Sequence, residues 1–265
     1  MRLSVVCLLE KLAEENMKNN KMNLKSSSIK KMLPAVGISN EKNRIAWTIK
    51  ALKKIPKGSK ILDAGAGEQQ FKTYCQHLKY VSQDFAEYDG KGDKSGFQTG
   101  TWNNSGLDII SDITAIPRPS KSFDAILCTE VFEHLPDPIA AIKEFSRLLK
   151  KEGILIITAP FGSLTHFAPY HFYNGFNIYF YKKFLSQFGF EIIELKRNGN
   201  YFEYLAQEVY RLNFISKKYA KKIKLGLFSK MVQYFFLKVL ARLSINSRGS
   251  EELLCFGYFV RAKKI

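Results

Sequence analysis

Residues 61–70 read ILDAGAGEQQ, and the fold turns on how this stretch is read. Ile61 and Leu62 end a run suited to a buried strand, Asp63 follows, and Gly65 and Gly67 form a G-x-G. Glycine lets backbone approach a ligand with no Cβ in the way and permits turn angles closed to other residues. A helix N-terminus after such a turn offers unpaired N–H groups, which in dinucleotide folds face a pyrophosphate. The third glycine of that fingerprint is missing; Gln69 and Gln70 stand in its place. A lone G-x-G also occurs in ordinary strand-to-helix turns, so its weight depends on what surrounds it.

Working outward, apolar runs alternate with helical patterns. Upstream, Ile45, Trp47, Ile49 and Leu52 have the spacing of an amphipathic helix, which closes at IPKGSK before a strand over 60–63. Downstream, the pattern predicts a helix over about 69–77, a second strand at KYVSQD (79–84) and a glycine-rich stretch over 88–106. A third strand is expected at LDIISDI (107–113) and a fourth at FDAILCTE (123–130). A helix over 137–151, with Gly153 as its stop signal, precedes a fifth strand at ILIITAP (154–160). FEIIELK (190–196) and LLCFGYFVRAK (253–263) read as two late strands with no ordinary crossover between them. Strands this apolar, alternating with helices, mean an α/β fold with a parallel sheet covered on both faces.

Three acids follow the strand ends. Asp63 closes the first strand; Asp84 closes the second, where a carboxylate can accept ribose hydroxyls; Asp112 closes the third, where one can take an adenine amino group. Each alone also suits a solvated turn or a helix cap. Together they lie at the edge where open α/β sheets bind ligands.

With these residues in view, the chain resembles the class I S-adenosylmethionine-dependent methyltransferases, in particular their type-11/type-12-like group. ILDAGAG is similar to the first motif, VSQD to the ribose acid and SDITAIP to the adenine strand end. SFDAILCTEVFEHLPDPIAAIKEFSRLLKKEGILIITAP resembles the family's fourth-strand, helix and fifth-strand block over its whole length. The resemblance covers about residues 40–200 and the last strand. It implies a Rossmann-like seven-stranded, mostly parallel sheet with an antiparallel last strand. It also implies S-adenosyl-L-methionine as cofactor, held by Asp63, Gly65, Gly67, Asp84, Asp112 and Ile113. Because that cofactor has no pyrophosphate, the third glycine is dispensable, and a glutamine could begin the helix with its side chain turned outward.

Methyl transfer is an in-line displacement in which alignment supplies much of the catalysis, and a hydroxyl or amine acceptor also calls for a general base. Candidates gather after the fourth and fifth strands: Glu130, Glu133 and His134 in CTEVFEHLPDP, and His166, His171 and Tyr173 in FGSLTHFAPYHFYNGF. His134 and His171 are the catalytic candidates, while His166 and Tyr173 are assigned to the acceptor. His134 equally suits a packed, helix-capping histidine, and the aromatic loop suits either an acceptor lid or added packing. No metal is expected. The alternative is a divalent site at Glu130, Glu133 and His134, since their spacing resembles that of the ubiquinone-pathway O-methyltransferases.

The net charge of +17 is unevenly spread. Residues 1–60 hold 14 Lys/Arg against 4 acids, residues 61–210 hold 14 against 18, and residues 211–248 hold 10 against none. The body is therefore mildly acidic and the basic charge lies in two appendages. That distribution argues against nucleic acid, which needs the basic surface around the site, and suits an anionic membrane surface. Residues 1–40 read as a basic extension and 41–265 as the methyltransferase domain, with 211–248 as a basic amphipathic insertion. In the insertion, Phe228, Met231, Val232, Phe235, Phe236, Val239, Leu240 and Leu243 share one helical face, and Lys230, Gln233, Tyr234, Lys238 and Ser244 the other. Such a stripe serves core packing, a homodimer or a membrane interface.

Leu3–Leu9 is too short for a span or a signal peptide, and four scattered cysteines form no C-x-x-C pair. The expectation is cytoplasmic residence, peripheral on a membrane, with a small-molecule, lipid-linked or glycan acceptor. Two alternatives are a nucleotide-binding Rossmann-type oxidoreductase, disfavoured by Gln70 and the lack of a Tyr-x-x-x-Lys pair, and a non-catalytic binding module of the same fold. No Asn/Asp-Pro-Pro-Tyr motif follows the fourth strand, which disfavours amino methylation of bases.

Overall fold

The computed structural model describes residues 34–221, 223 and 225–265. The Leu3–Leu9 run, Cys7 and most of the basic extension lie outside the described residues. Seven strands form one sheet: β1 (Lys60–Ala64), β2 (Lys79–Asp84), β3 (Ile109–Ile110), β4 (Phe123–Thr129), β5 (Leu149–Pro160), β6 (Phe190–Asn198) and β7 (Gly257–Lys264). Their order is β3-β2-β1-β4-β5-β7-β6. Pairs from β3 through β5 are parallel, and β7 runs antiparallel to both β5 and β6. This is the expected Rossmann-like α/β sheet with its last strand reversed. The order changes direction between β1 and β4, so a crevice opens beyond their C-terminal ends.

Burial explains the central strands. Ile61, Leu62, Ala125, Ile126 and Leu127 are fully buried, as residues covered on both faces must be. Over one face lies α1 (Asn40–Leu52), whose Trp47, Ala51 and Leu52 join Ile61, Phe71, Ala125, Leu127 and Ile156 in one core. Trp47 stacks on Phe259 with ring centroids 5.0 Å apart and donates its indole N–H to Glu194 Oε1 at 2.8 Å. Helix α2 (Pro138–Leu148) starts where proline needs no N–H partner, and Asp137 Oδ1 accepts from the N–H groups of Ile139 and Ala140. Helix α3 (Ile178–Gln187) is capped in the same way by Asn177.

Several boundaries differ from expectation. Residues 69–77 form turns and a short 3-10 segment at Lys72–Tyr74 instead of an α-helix. Gln69 has φ +57°, a left-handed conformation that cannot continue a right-handed helix. Strand β3 is only two residues long because Asp108 Oδ2 takes both the N–H and the hydroxyl of Ser82, each at 2.8 Å, in place of a ladder bond. Helix α2 stops at Leu148, and β5 begins at Leu149 by pairing with Phe123.

Residues Lys42–Asn198 with Gly257–Ile265 form one compact unit; the described residues of 34–41 and 199–256 form a second. In the second, a helix pair, α4 (Tyr201–Tyr219) and α5 (Leu227–Ile245), surrounds a small core of Val36, Ala206, Val209, Leu237 and Leu240; the insertion expected over 211–248 begins inside α4 and takes in α5. Leu240 was expected on the broad apolar face of α5 with Phe228 and Phe235. It faces inward instead, on the same side as Gln233 and Ser244, because these are the residues that meet α4 and its cap. Cys75, Cys128 and Cys255 are buried.

Candidate functional site

The 65–70 loop sits in the crevice and is bound mostly by its own neighbours. Gly65 and Ala66 donate their N–H groups to Gln83 O at 2.9 and 2.8 Å. Asp84, 7% exposed at the end of β2, accepts from Gly67 N at 2.8 Å and from Ala86 N at 3.0 Å. Burial raises its pKa above 3.8, opposed by the backbone donors. Gly65 and Gly67 both have positive φ, +74° and +50°. A Cβ on Gly65 would fall 2.4 Å from Val131, and one on Gly67 would fall 2.6 Å from Trp102. Only glycine therefore lets those two side chains close on the loop.

Gln69 holds the position of the missing third glycine and takes the glycine-like conformation. Its Nε2 donates to Ser105 O at 3.2 Å and Gly106 O at 3.1 Å, and its Oε1 accepts from Lys72 Nζ at 2.8 Å. Next to it, Glu68 Oε1 accepts from Asn103 N at 3.0 Å. The departure from the fingerprint is thus a tie between the loop and segment 102–106, and the side chain is not turned away as expected.

Asp63 is 2% exposed behind the loop and accepts from Tyr80 Oη at 2.6 Å. Burial pushes its pKa up to about 7; the tyrosine bond opposes this and the charge of Asp84 adds to it. Gln83, which sequence reasoning passed over, is 1% exposed and donates to Ser111 O at 2.7 Å, linking the loop to the end of β3. Asp112 Oδ1 accepts from both Thr114 N and Thr114 Oγ1 at 2.8 Å, so it closes a turn there, with Ile113 buried beside it.

Past β4, Glu130 has a left-handed φ of +54°. Its Oε2 pairs with Arg44 Nη1 at 2.9 Å and its Oε1 accepts from Thr158 Oγ1 at 2.9 Å. Arg44, also missed from the sequence, is buried on α1. Both Glu130 oxygens are thus engaged by Arg44 and Thr158. Among the described residues, Glu133, His134 and His166 instead bring one potential ligand atom each within 4.8 Å of one another. Glu133 is 1% exposed, and its Oε2 has no hydrogen-bond partner. Burial and then the Glu130 charge raise its pKa well above 4.5.

His134 is the centre of an imidazole cluster. Its ring lies 4.7 Å from that of His166, 5.9 Å from that of His171 and flat on Phe167 at 5.1 Å. Its Nδ1 is 2.5 Å from Tyr170 O. A carbonyl only accepts, so Nδ1 carries the hydrogen and Nε2 presents its lone pair. Burial, then the neighbouring His166, lowers its pKa well below 6.5, which keeps the ring neutral at physiological pH. Nε2 of His171 lies 3.1 Å from Ser163 Oγ, whose own proton goes to Asn174 O at 2.9 Å. The His171 nitrogen is therefore the donor. Tyr173 donates its hydroxyl to Pro136 O at 3.1 Å. Tyr88, Trp102 and Phe167 complete an aromatic wall between the histidines and Gly67, with Tyr88 stacked on Phe167 at 4.5 Å.

A family model described as "Methyltransferase domain" matches residues 39–216. Among curated proteins, the chain is similar to the ubiquinone biosynthesis O-methyltransferase of Xanthomonas oryzae pv. oryzae, 30% identical over 104 residues. That stretch is 38% of this chain and 43% of the relative. The protein of the same name from Actinobacillus pleuropneumoniae is 37% identical over 51 residues, 19% of this chain and 21% of its own. The chain thus spans less than half the length of these curated relatives. Among solved structures, an S-adenosylmethionine-dependent methyltransferase from Archaeoglobus fulgidus superposes over 84% of this chain and 92% of its own, with a TM-score of 0.51 and 18% identity. That likeness is one of fold.

Proposed function

We propose, from the premise that the chain belongs to the methyltransferase-domain family, that it transfers a methyl group from S-adenosylmethionine to a small-molecule, lipid-linked or glycan acceptor. What supports the cofactor is the acceptor set: buried Asp84 and the turn at Asp112 follow β2 and β3, beside a Gly65–Gly67 turn that carries no Cβ. Gly65, Gly67, Asp84, Asp112 and Ile113 would hold it, with Asp63 behind them. Carboxylates suit a ligand whose edges are hydroxyl and amino donors. Bound there, the cofactor supplies a sulfonium methyl group open to in-line displacement.

The observation that carries the reading is the arrangement of His134, with its hydrogen fixed on Nδ1 and its lone pair on Nε2, in a histidine cluster beyond the same strand ends. A neutral imidazole in that tautomer accepts a proton from an acceptor hydroxyl. The curated relatives are named O-methyltransferases, and the same atom class is our choice here. His171 and Tyr173 orient the acceptor, and His166 sets the edge of its pocket. Phe167 and Trp102 exclude water from the reaction. No helix among the described residues is long and apolar enough to cross a membrane. A lipid-linked acceptor would be met from a peripheral position on the cytoplasmic face.

The test is incubation of the protein with methyl-labelled S-adenosylmethionine and a membrane lipid extract. The reading expects label in organic-extractable material, lost in His134→Ala. A parallel incubation with the water-soluble extract tests the small-molecule and glycan acceptors; label confined to the protein, or none with wild type in either extract, would overturn the reading.

A further inference from the structure

Helix α5 is oriented against the ordinary logic of an amphipathic helix. Its inward side carries Gln233, Leu237, Leu240 and Ser244. Gln233 Oε1 accepts from Asn213 Nδ2 at 3.0 Å and its Nε2 donates to Val209 O at 2.5 Å, while Asn200 Nδ2 donates to Ser244 Oγ at 3.1 Å. These bonds fix the rotation of the helix. They leave its larger apolar face outward: Phe228 is 77% exposed, Phe235 57%, Val239 50% and Leu243 43%, with Met231, Val232 and Phe236 among them. At 1.5 Å per residue, the row from Phe228 to Leu243 runs roughly 22 Å. Folded proteins rarely leave so large an apolar stripe to water without a partner for it.

We infer that this face of α5 is a docking surface for an anionic lipid bilayer. Charge selects that occupant. The exposed Lys230, Lys238 and Arg242 lie beside the apolar row, and residues 211–248 contain ten basic side chains and no acid. A second copy seated symmetrically on the face would set basic border against basic border with no acid from this segment between them. Anionic headgroups neutralise that border, while the phenylalanines and leucines enter the acyl boundary. The inference deepens the peripheral placement proposed above, and its readout is lipid binding, so it stands or falls apart from methyl transfer.

The experiment is flotation of the full chain with vesicles of phosphatidylcholine alone or of phosphatidylcholine with phosphatidylserine, at low and high salt. Wild type should float with the anionic vesicles and be released as salt rises, because the Debye length shrinks from about 10 Å at 0.1 M to about 3 Å at 1 M. Phe228→Gln with Phe235→Gln should bind at least tenfold less, with an unchanged melting curve, since both side chains already face water. Lys230→Gln with Lys238→Gln should weaken binding and flatten its salt dependence. Equal recovery on both lipids, or flotation undiminished in the phenylalanine variant, would overturn the inference. So would a salt-insensitive dimer that does not float and that the phenylalanine variant disperses.

Discussion

Asp84→Asn isolates the chemistry of the cofactor loop. In the structure this carboxylate accepts from Gly67 N at 2.8 Å and Ala86 N at 3.0 Å, so it shapes the loop that is proposed to hold the cofactor. Asparagine keeps the size but offers one acceptor oxygen, and its amide nitrogen must oppose one of those two N–H groups. Hydrogen bonds to a charged group contribute roughly 1.5–3 kcal/mol, which at about 1.4 kcal/mol per decade is roughly a 10- to 150-fold loss of cofactor affinity. Global stability should change much less, because burial already raises the pKa of this acid and a neutral side chain removes that cost. Trp102 stands against Gly67 and gives a local fluorescence probe for the titration, with a melting curve as the control. Wild-type affinity in the folded variant would remove Asp84 from the site. Loss of the fold would show that its role is structural.

Gln69→Gly deletes the tie to Ser105 and Gly106 but suits the left-handed φ, so stability should stay within about 1 kcal/mol; cofactor dissociation measured by stopped flow should accelerate several-fold, and an unchanged rate would dismiss the tie. His134→Ala and His171→Ala should each lower turnover far more than cofactor affinity, and loss of cofactor binding in either would favour a packing role. Because a base works only when unprotonated and burial lowers the His134 pKa, the acid limb of the pH–rate profile should fall below about pH 6.5; a limb above that value would exclude this residue. Arg44→Leu strands Glu130 with Thr158 alone and should cost on the order of 3 kcal/mol by urea unfolding, with part of the loss recovered by adding Glu130→Gln.

What could be read from the sequence was what depends on local pattern. The buried strands β1, β4 and β5 showed as apolar runs because both of their faces are covered. The Asp137-Pro138 start of α2 was legible because capping is a near-neighbour event. The Gly65 and Gly67 turn was legible for the same reason. Arg44, Gln83 and the role of Gln69 were not, since each acts on residues brought close only by the folded sheet: Arg44 on Glu130, Gln83 on Ser111, Gln69 on Ser105 and Gly106. Two glutamines after a G-x-G were still a signal that the position had another use.

The histidines of the two loops after β4 and β5 do come together in the fold, yet spacing alone grouped His134 with Glu130 and Glu133. Tertiary pairing instead engages Glu130 with Arg44 and brings His166 across from the loop after β5. On α5, helical periodicity located both faces but assigned Leu240 to the wrong one. A wheel shows which residues share a side, and the Gln233 and Asn200 contacts determine which side is inward.

The most direct measurement is titration calorimetry of the wild-type chain with S-adenosylmethionine, S-adenosylhomocysteine and NAD in parallel. The account predicts one-to-one binding of the first two, in mutual competition, and no heat from NAD. Binding of NAD with neither methyl cofactor retained would contradict it and return the 61–70 loop to the dinucleotide-binding reading.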